Sequence, residues 1–196
     1  VLNDISFNFE SGKIYSIVGP SGSGKSTLLN LLSLIDTPSS GTIEINNSKI
    51  NFENKIKNDD IRAKKIGIIY QDKNLLSDFT AVENVYLPNL LLSNDHFSSM
   101  NLAKKIIKNF GLSSRLNHFP SELSGGENQR IAIARALINN PEIILADEPT
   151  GSLDFDNAKQ IFKILLNLKN KNRIVVFATH NRYFANMADC KIKMIG

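Results

Sequence analysis

Apolar and polar positions change their period several times along this chain, and each change marks an element. Residues 1–9 alternate apolar and polar side chains, which predicts a strand. Glu10-Ser11-Gly12 then turns the chain into a second strand over 13–18. Residues 27–34 carry helix character, and Pro38-Ser39-Ser40-Gly41 ends that region. A short strand over 42–46, a turn at Asn46-Asn47, a polar loop over 51–60 and a strand over 66–70 follow. From 74 to 140 the period becomes helical. Within 97–110, Leu102, Ala103, Ile106, Ile107 and Phe110 share one helical face, and Gly111 supplies a stop. A second strong helix covers 127–138. Beyond it come a strand at 143–146, a helix at 157–170, a strand at 174–178 and a last strand at 190–195. Strands alternating with helices predict a mostly parallel α/β core, with 74–140 inserted as a helical subdomain.

Composition narrows the classes. A chain of 196 residues with 42% hydrophobic and 21% charged residues can bury one sizeable core. No apolar run reaches the ~20 residues of a membrane span. The start lacks the basic and apolar regions of a signal peptide and lacks a methionine, so an excised domain is expected. The net charge of +4 suits ATP, an anionic membrane surface or nucleic acid and selects none; a solvated lysine-rich surface explains it as well. The single Cys190 excludes an internal disulfide and reads as a small filler. His96 and His118 read as surface histidines in polar loops, and nothing resembles a zinc site.

Gly19 to Thr27 reads G-P-S-G-S-G-K-S-T, a full phosphate-binding loop between a strand and a helix. Gly19, Pro20, Ser21, Gly22, Ser23, Gly24, Lys25, Ser26 and Thr27 are the candidate nucleotide-binding residues. Glycines let backbone N–H groups close around phosphate oxygens, and the following helix adds its dipole. Lys25 supplies a point charge for the β- and γ-phosphates, and Ser26 a hydroxyl for Mg²⁺. A Gly/Ser-rich connector is the bland alternative, and the flanking elements argue against it.

A second acidic signal ends the strand Ile143-Ile144-Leu145-Ala146 with Asp147-Glu148. Acidic residues there lie on the ligand side of a parallel sheet. Asp147 is placed to hold Mg²⁺, and Glu148 to orient and deprotonate an attacking water. Alone, this pair could equally be a strand terminus; beside a phosphate loop it reads as chemistry. Ser124-Gly125-Gly126 opens a helix and offers a second anion site, although a plain N-cap would explain it too. One chain rarely needs two γ-phosphate sites, so this loop is expected to cap ATP bound by another copy.

Leu123-Ser124-Gly125-Gly126-Glu127-Asn128-Gln129-Arg130, with Ala146–Asp154 (A-D-E-P-T-G-S-L-D) and His180 after a strand, resembles the ATP-binding-cassette (ABC) ATPase family over essentially the whole chain. The resemblance implies an α/β P-loop NTPase core with a mostly parallel sheet, a small antiparallel β portion and an inserted helical subdomain. It implies one nucleotide-binding domain over 1–196, truncated at both ends. It further implies ATP hydrolysis with Mg²⁺ and a head-to-tail dimer of two ATPase subunits. In that dimer ATP lies between the phosphate loop of one copy and Ser124-Gly125-Gly126 of the other. Gln71 falls where the family's Mg²⁺-touching glutamine sits, Asp154 matches the aspartate that communicates across the dimer, and His180 matches the histidine that contacts γ-phosphate. Gln71, Asp147 and Ser26 are thus the candidate metal-binding set. Lys25, Gln71, Glu148 and His180 are the candidate catalytic set.

Tyr70-Gln71, Asn74-Leu75-Leu76, Asp78-Phe79-Thr80-Ala81 and Asn117-His118-Phe119-Pro120 resemble the lipoprotein-releasing branch, whose relatives serve macrolide export and cell division. That branch implies integral membrane permease subunits with large periplasmic domains as partners. It also implies a peripheral place on the cytoplasmic face of the bacterial inner membrane. Leu75, Leu76, Phe79, Val82, Val85, Tyr86 and Leu87 line a groove for the permease or, equally, pack a core. No nucleic acid is expected: 99 positions separate Lys25 from Ser124, too few for the long coiled coils of chromosome-organising relatives. Asn128 and Ser152 depart from the family's usual residues. The adenine-stacking aromatic would lie upstream of Val1, and Tyr15 is in the wrong place to replace it.

Overall fold

Five short strands form one parallel sheet in the computed structural model, which describes residues 2–195. They are β1 (Ile14–Val18), β4 (Ile66–Ile69), β5 (Ile143–Asp147), β6 (Ile174–Ala178) and β7 (Cys190–Lys193), in the spatial order β4-β5-β6-β1-β7. The central ones are apolar on both faces, whereas β7 at the edge alternates with exposed lysines. Continuous apolar runs are what a parallel sheet covered on both sides requires. Helices supply that cover. On one face, Ile14, Ile144, Val175 and Phe177 meet Ala158, Ile161, Phe162 and Leu165 of α6 (Phe155–Asn167) and Ile133 of α5 (Gly125–Leu137). On the other, Tyr15, Ile17, Leu145, Val176 and Ala178 meet Leu28 and Leu29 of α1 (Lys25–Leu32).

A third core belongs to the helices between β4 and β5. Here α3 (Ala81–Ser93), α4 (His96–Asn109) and α5 bury Val82, Val85, Tyr86, Ala103, Ile107, Ile131 and Ala134 together. Thr80 and Glu83 cap α3 reciprocally, and Asp95 caps α4. The buried amide of Asn84 bonds the backbone of Leu76, Phe79 and Thr80, which pins the approach to α3. α5 serves two cores, Ile133 facing the sheet and Ile131 and Ala134 facing the helices. It reaches β4 only because Gly67 has no side chain: a Cβ there would stand 2.4 Å from Ala136 O. The helices of this block run from Ala81 to Leu137.

The antiparallel portion is small: β2 (Glu44–Ile45) and β3 (Ser48–Lys49) joined by Asn46-Asn47. Both asparagines have positive φ, 51° and 60°, as a two-residue hairpin turn of matching twist demands.

Several expectations are corrected. The strand expected over 1–9 is absent from residues 2–9; Val1 lies outside the described residues. Alternation supplied a face but no pairing edge, because β6 and β7 occupy both sides of β1. Phe7 and Phe9 instead pack edge-on against Tyr15. The loop expected over 51–60 is largely helix α2 (Lys55–Lys65). Its side chains are mostly polar and exposed, but Asn54 caps it through Lys57 N, and Arg62, Lys64 and Lys65 complement its C-terminal dipole. His96 opens α4 rather than sitting in a loop, its ring 5.2 Å from that of Tyr86. A short helix, α7 (Arg182–Ala185), was not expected.

Candidate functional site

In a parallel sheet the carboxyl ends of all strands share one edge, where ligands bind. The segments after β1, β4, β5 and β6 carry Gly19–Lys25, Gln71, Asp147-Glu148 and His180, so the topology gathers the first anion site and the candidate acids at one edge.

The phosphate loop leaves β1 at Gly19, which stands in a tight place: a Cβ would approach Ser23 Oγ to 2.5 Å and Met194 O to 2.9 Å. Gly22 and Gly24 take φ of 80° and 89°, which turns the backbone into a concave nest. Around Gly22 an added Cβ meets nothing within 4 Å, so the loop's outer side is open. Among the described residues, the N–H groups of Gly22, Gly24, Lys25, Ser26 and Thr27 donate to no protein acceptor. Ser23 Oγ is buried and likewise unpartnered. Lys25 Nζ bonds Gly19 O and Pro20 O, both at 2.9 Å, which holds the ammonium across the loop. Unpaired donors and a positive charge around an open hollow fit a polyphosphate. The sequence reading of 19–27 thus maps onto one concave feature.

β5 ends at Asp147, in register with Ala178 of β6. Glu148 follows with φ 42°, a left-handed conformation that aims its side chain off the strand line, while its N–H donates to Ala178 O at 3.0 Å. Its carboxylate is only 13% exposed and pairs with His180 Nδ1 at 3.0 Å. Gln71 lies against the turn that follows: a Cβ on Gly151 would stand 3.3 Å from Gln71 Nε2 and 3.4 Å from Glu148 O. A hydroxyl (Ser26), a carboxylate (Asp147) and an amide (Gln71) at one sheet edge form an all-oxygen donor set, which suits a hard cation such as Mg²⁺.

Ser124, Gly125 and Gly126 sit elsewhere, at the start of α5. Among the described residues no hydrogen bond joins this segment to the phosphate loop. Ser124 Oγ accepts from Glu127 N, and Glu127 accepts from Ser124 N at 2.8 Å and from Arg115 Nε at 2.9 Å. The Ser124 N–H, then the Arg115 guanidinium, hold the Glu127 carboxyl down to about 2. Gly126 packs on Asn157, where a Cβ would come 2.8 Å from Oδ1. Asn128, one of the departures, donates to Pro120 O and Leu123 O and so fixes the chain entering Ser124.

Asp154 caps α6: it accepts from Asn157 Nδ2 and from the backbone of Asn157 and Asp156, bonds that in this order keep its carboxyl below the usual range. The expected groove is divided. Val82, Val85 and Tyr86 belong to the helical core, Leu75 is partly buried against it, and Leu76 and Phe79 are exposed at 42% and 37%. Sequence reasoning missed Arg135, which donates to Lys73 O and Asn74 O, and Lys73, which donates to Ser152 Oγ. The one signal was a lone charge inside the apolar run 131–138.

A family profile described as "ABC transporter" matches residues 2–151. The lipoprotein-releasing system ATP-binding protein LolD of Rickettsia bellii is 44% identical over 195 residues, covering 99% of this chain and 86% of its own. LolD of Cytophaga hutchinsonii is 43% identical, covering 99% and 89%. Among solved structures, the ATP-binding cassette MJ0796, a dimer in a post-hydrolysis state bound to ADP and Pi, superposes with a TM-score of 0.90 at 39% identity, covering 98% of this chain and 85% of its own.

Proposed function

This chain belongs to the ABC transporter ATPase family, and on that premise we propose that it powers a transporter releasing lipoproteins from a bacterial inner membrane. The observation that carries the ATPase reading is the convergence of the Gly19–Lys25 nest, Asp147 and the Glu148–His180 pair at one sheet edge. Lipoprotein as cargo is supported by 43–44% identity to the LolD relatives over nearly the whole chain.

In this reading the unpaired N–H groups of Gly22, Gly24, Lys25, Ser26 and Thr27 and the Lys25 ammonium bind and neutralise the ATP phosphates. Ser26, Asp147 and Gln71 would hold Mg²⁺, which supplies charge neutralisation on the phosphate oxygens when bound. Glu148 accepts the proton of the attacking water. His180 Nδ1, 3.0 Å from Glu148 Oε1, is placed to bias which carboxylate oxygen faces that water. His180 is 74% exposed, so its Nε2 is free to meet the γ-phosphate. Binding and placement, rather than covalent chemistry, account for the rate.

The separation of Ser124–Gly126 from the phosphate loop supports a head-to-tail dimer, in which this segment closes over ATP held by a second copy. Asp154, as the cap of α6, presents the preceding turn to that copy. Leu76 and Phe79 are the exposed apolar residues offered to integral membrane permease subunits with large periplasmic domains. Among the described residues no helix is long and apolar enough to cross a membrane. A peripheral place on the cytoplasmic face, beneath those subunits, follows from the reading.

The test is to tag the full-length protein, recover it from detergent-solubilised membranes and identify its companions. A permease with a large periplasmic domain and bound lipoprotein is the expected result. Such a permease without lipoprotein would move the assignment to a macrolide-export or cell-division role. Ribosomes or DNA without a membrane protein would overturn transport.

A further inference from the structure

Arg135 is a charge in the last turn of α5, within the apolar run 131–138. Its guanidinium leaves the helix and donates to two consecutive carbonyls, Asn74 O at 2.6 Å and Lys73 O at 2.7 Å. Lys73 and Asn74 both have positive φ, 60° and 47°, although neither is glycine. That backbone is costly for such residues and persists where its surroundings hold it. The segment also continues outward: Lys73 Nζ donates to Ser152 Oγ at 2.8 Å. Among the described residues, Arg135 and Ser152 are the only side chains outside 71–74 that hydrogen-bond this segment.

The path therefore has fixed stations. Ser124 caps one end of α5, and Arg135 extends from the other. The segment it grips begins with Gln71, whose side chain lies against the Gly151 turn. Lys73 meets the same turn two to four residues after Glu148, at Ser152. Charge-assisted bonds to two carbonyls make a stiff joint, and the planar fork of arginine presents one nitrogen to each, Nη1 to Asn74 O and Nη2 to Lys73 O.

We propose that Arg135 is a positioning residue: it locks the Gln71 segment to the Ser124 helix, so that engagement of ATP by Ser124–Gly126 sets Gln71 and the Glu148 turn for hydrolysis. The inference rests on the ATPase and dimer reading above. It assigns to Arg135 no contact with nucleotide. Its loss should therefore leave ATP capture by the phosphate loop alone and impair the step that follows.

The experiment compares the full chain with Arg135→Met, Arg135→Lys and Lys73→Met. A fluorescent ATP analogue reports affinity, phosphate release reports kcat and the half-saturating Mg²⁺, and gel filtration in a Glu148→Gln background reports ATP-dependent dimers. Arg135→Met should keep ATP affinity within about twofold while kcat falls at least ~10-fold. Half-saturating Mg²⁺ should rise, and Arg135→Lys should lie between. Lys73→Met should move kcat in the same direction by less, and it keeps the test valid if Arg135→Met does not fold. ATP affinity falling in step with kcat, no rescue by lysine, or unchanged kcat would each overturn the proposal. A wild-type chain without ATPase activity would overturn the functional reading along with it, whereas an active wild type beside unimpaired variants overturns the Arg135 inference alone.

Discussion

His180 Nδ1 stands 3.0 Å from Glu148 Oε1, so the ends of β6 and β5 bring the candidate base against the residue that orients it. Glu148→Gln keeps the shape and size of the side chain but cannot take a proton. Its kcat should fall by at least ~100-fold with ATP affinity kept. ATP-bound dimers should then accumulate on gel filtration. Rapid turnover by this variant would remove Glu148 from the base role.

Lys25 spans its own loop, bonded to Gly19 O and Pro20 O, and so stands ready over the nest before any phosphate arrives. Lys25→Ala removes a charge-assisted contact worth about 1.5–3 kcal/mol. ATP should bind ~10- to 100-fold more weakly by calorimetry, with the thermal midpoint of the nucleotide-free chain nearly unchanged. Unchanged affinity would contradict the role.

Glu127 links Arg115 to the Ser124 cap, and its folded-state carboxyl lies near 2 against an ordinary 4.5. A depressed carboxyl contributes stability that is complete above about pH 4.5 and is lost as pH falls through about 2. Glu127→Gln keeps an acceptor for Ser124 N–H and loses the charge. At pH 7 the variant should melt a few degrees lower, for a cost of about 1 kcal/mol. The gap to wild type should close as pH drops through that window. A gap independent of pH would place the stabilisation in packing.

The division of the apolar stretch before α3 makes an opposite pair of substitutions informative. Leu76 and Phe79 are exposed, whereas Tyr86 is 9% exposed within the helical core. Leu76→Ser with Phe79→Ser should leave basal ATPase activity and stability intact, within about 0.5 kcal/mol. Stimulation of ATPase by the membrane subunit should be lost. Tyr86→Ser should destabilise the chain by about 3 kcal/mol or more in urea unfolding. Persisting stimulation in the double variant would exclude that surface as the contact.

Much of the candidate site's layout was legible because its signals are local. The nest at 19–27 and the pair Asp147-Glu148 are contiguous in sequence, and the apolar strands beside them declare their own direction of travel. What lay hidden depends on partners far along the chain. Arg135 bonds residues 61 and 62 positions away, and nothing in Ala-Arg-Ala-Leu names them. Helix α2 was masked by polarity, since a solvent-washed helix carries almost no apolar period. Residues 2–9 failed the other way: their alternation was genuine, but a ladder needs an unfilled edge, and β1 has none. The glycines opening α5 concealed its first turn because their helix propensity is poor, whereas the Ser124–Glu127 cap offsets it.

β4 and β5 are hydrogen-bonded neighbours, yet the whole helical block lies between Ile69 and Ile143 in sequence. Bringing those strands together means closing a loop of more than seventy residues, an entropic cost that only prior collapse of the helices can reduce. The order of events is thereby constrained. During synthesis the amino-terminal strand β4 must wait, unpaired, until α3, α4 and α5 have emerged and packed and β5 has followed them. β1 waits longer still, since its partners β6 and β7 lie more than 150 residues further on, so the sheet edge that carries Gln71 can pair before the strand that leads into the phosphate loop.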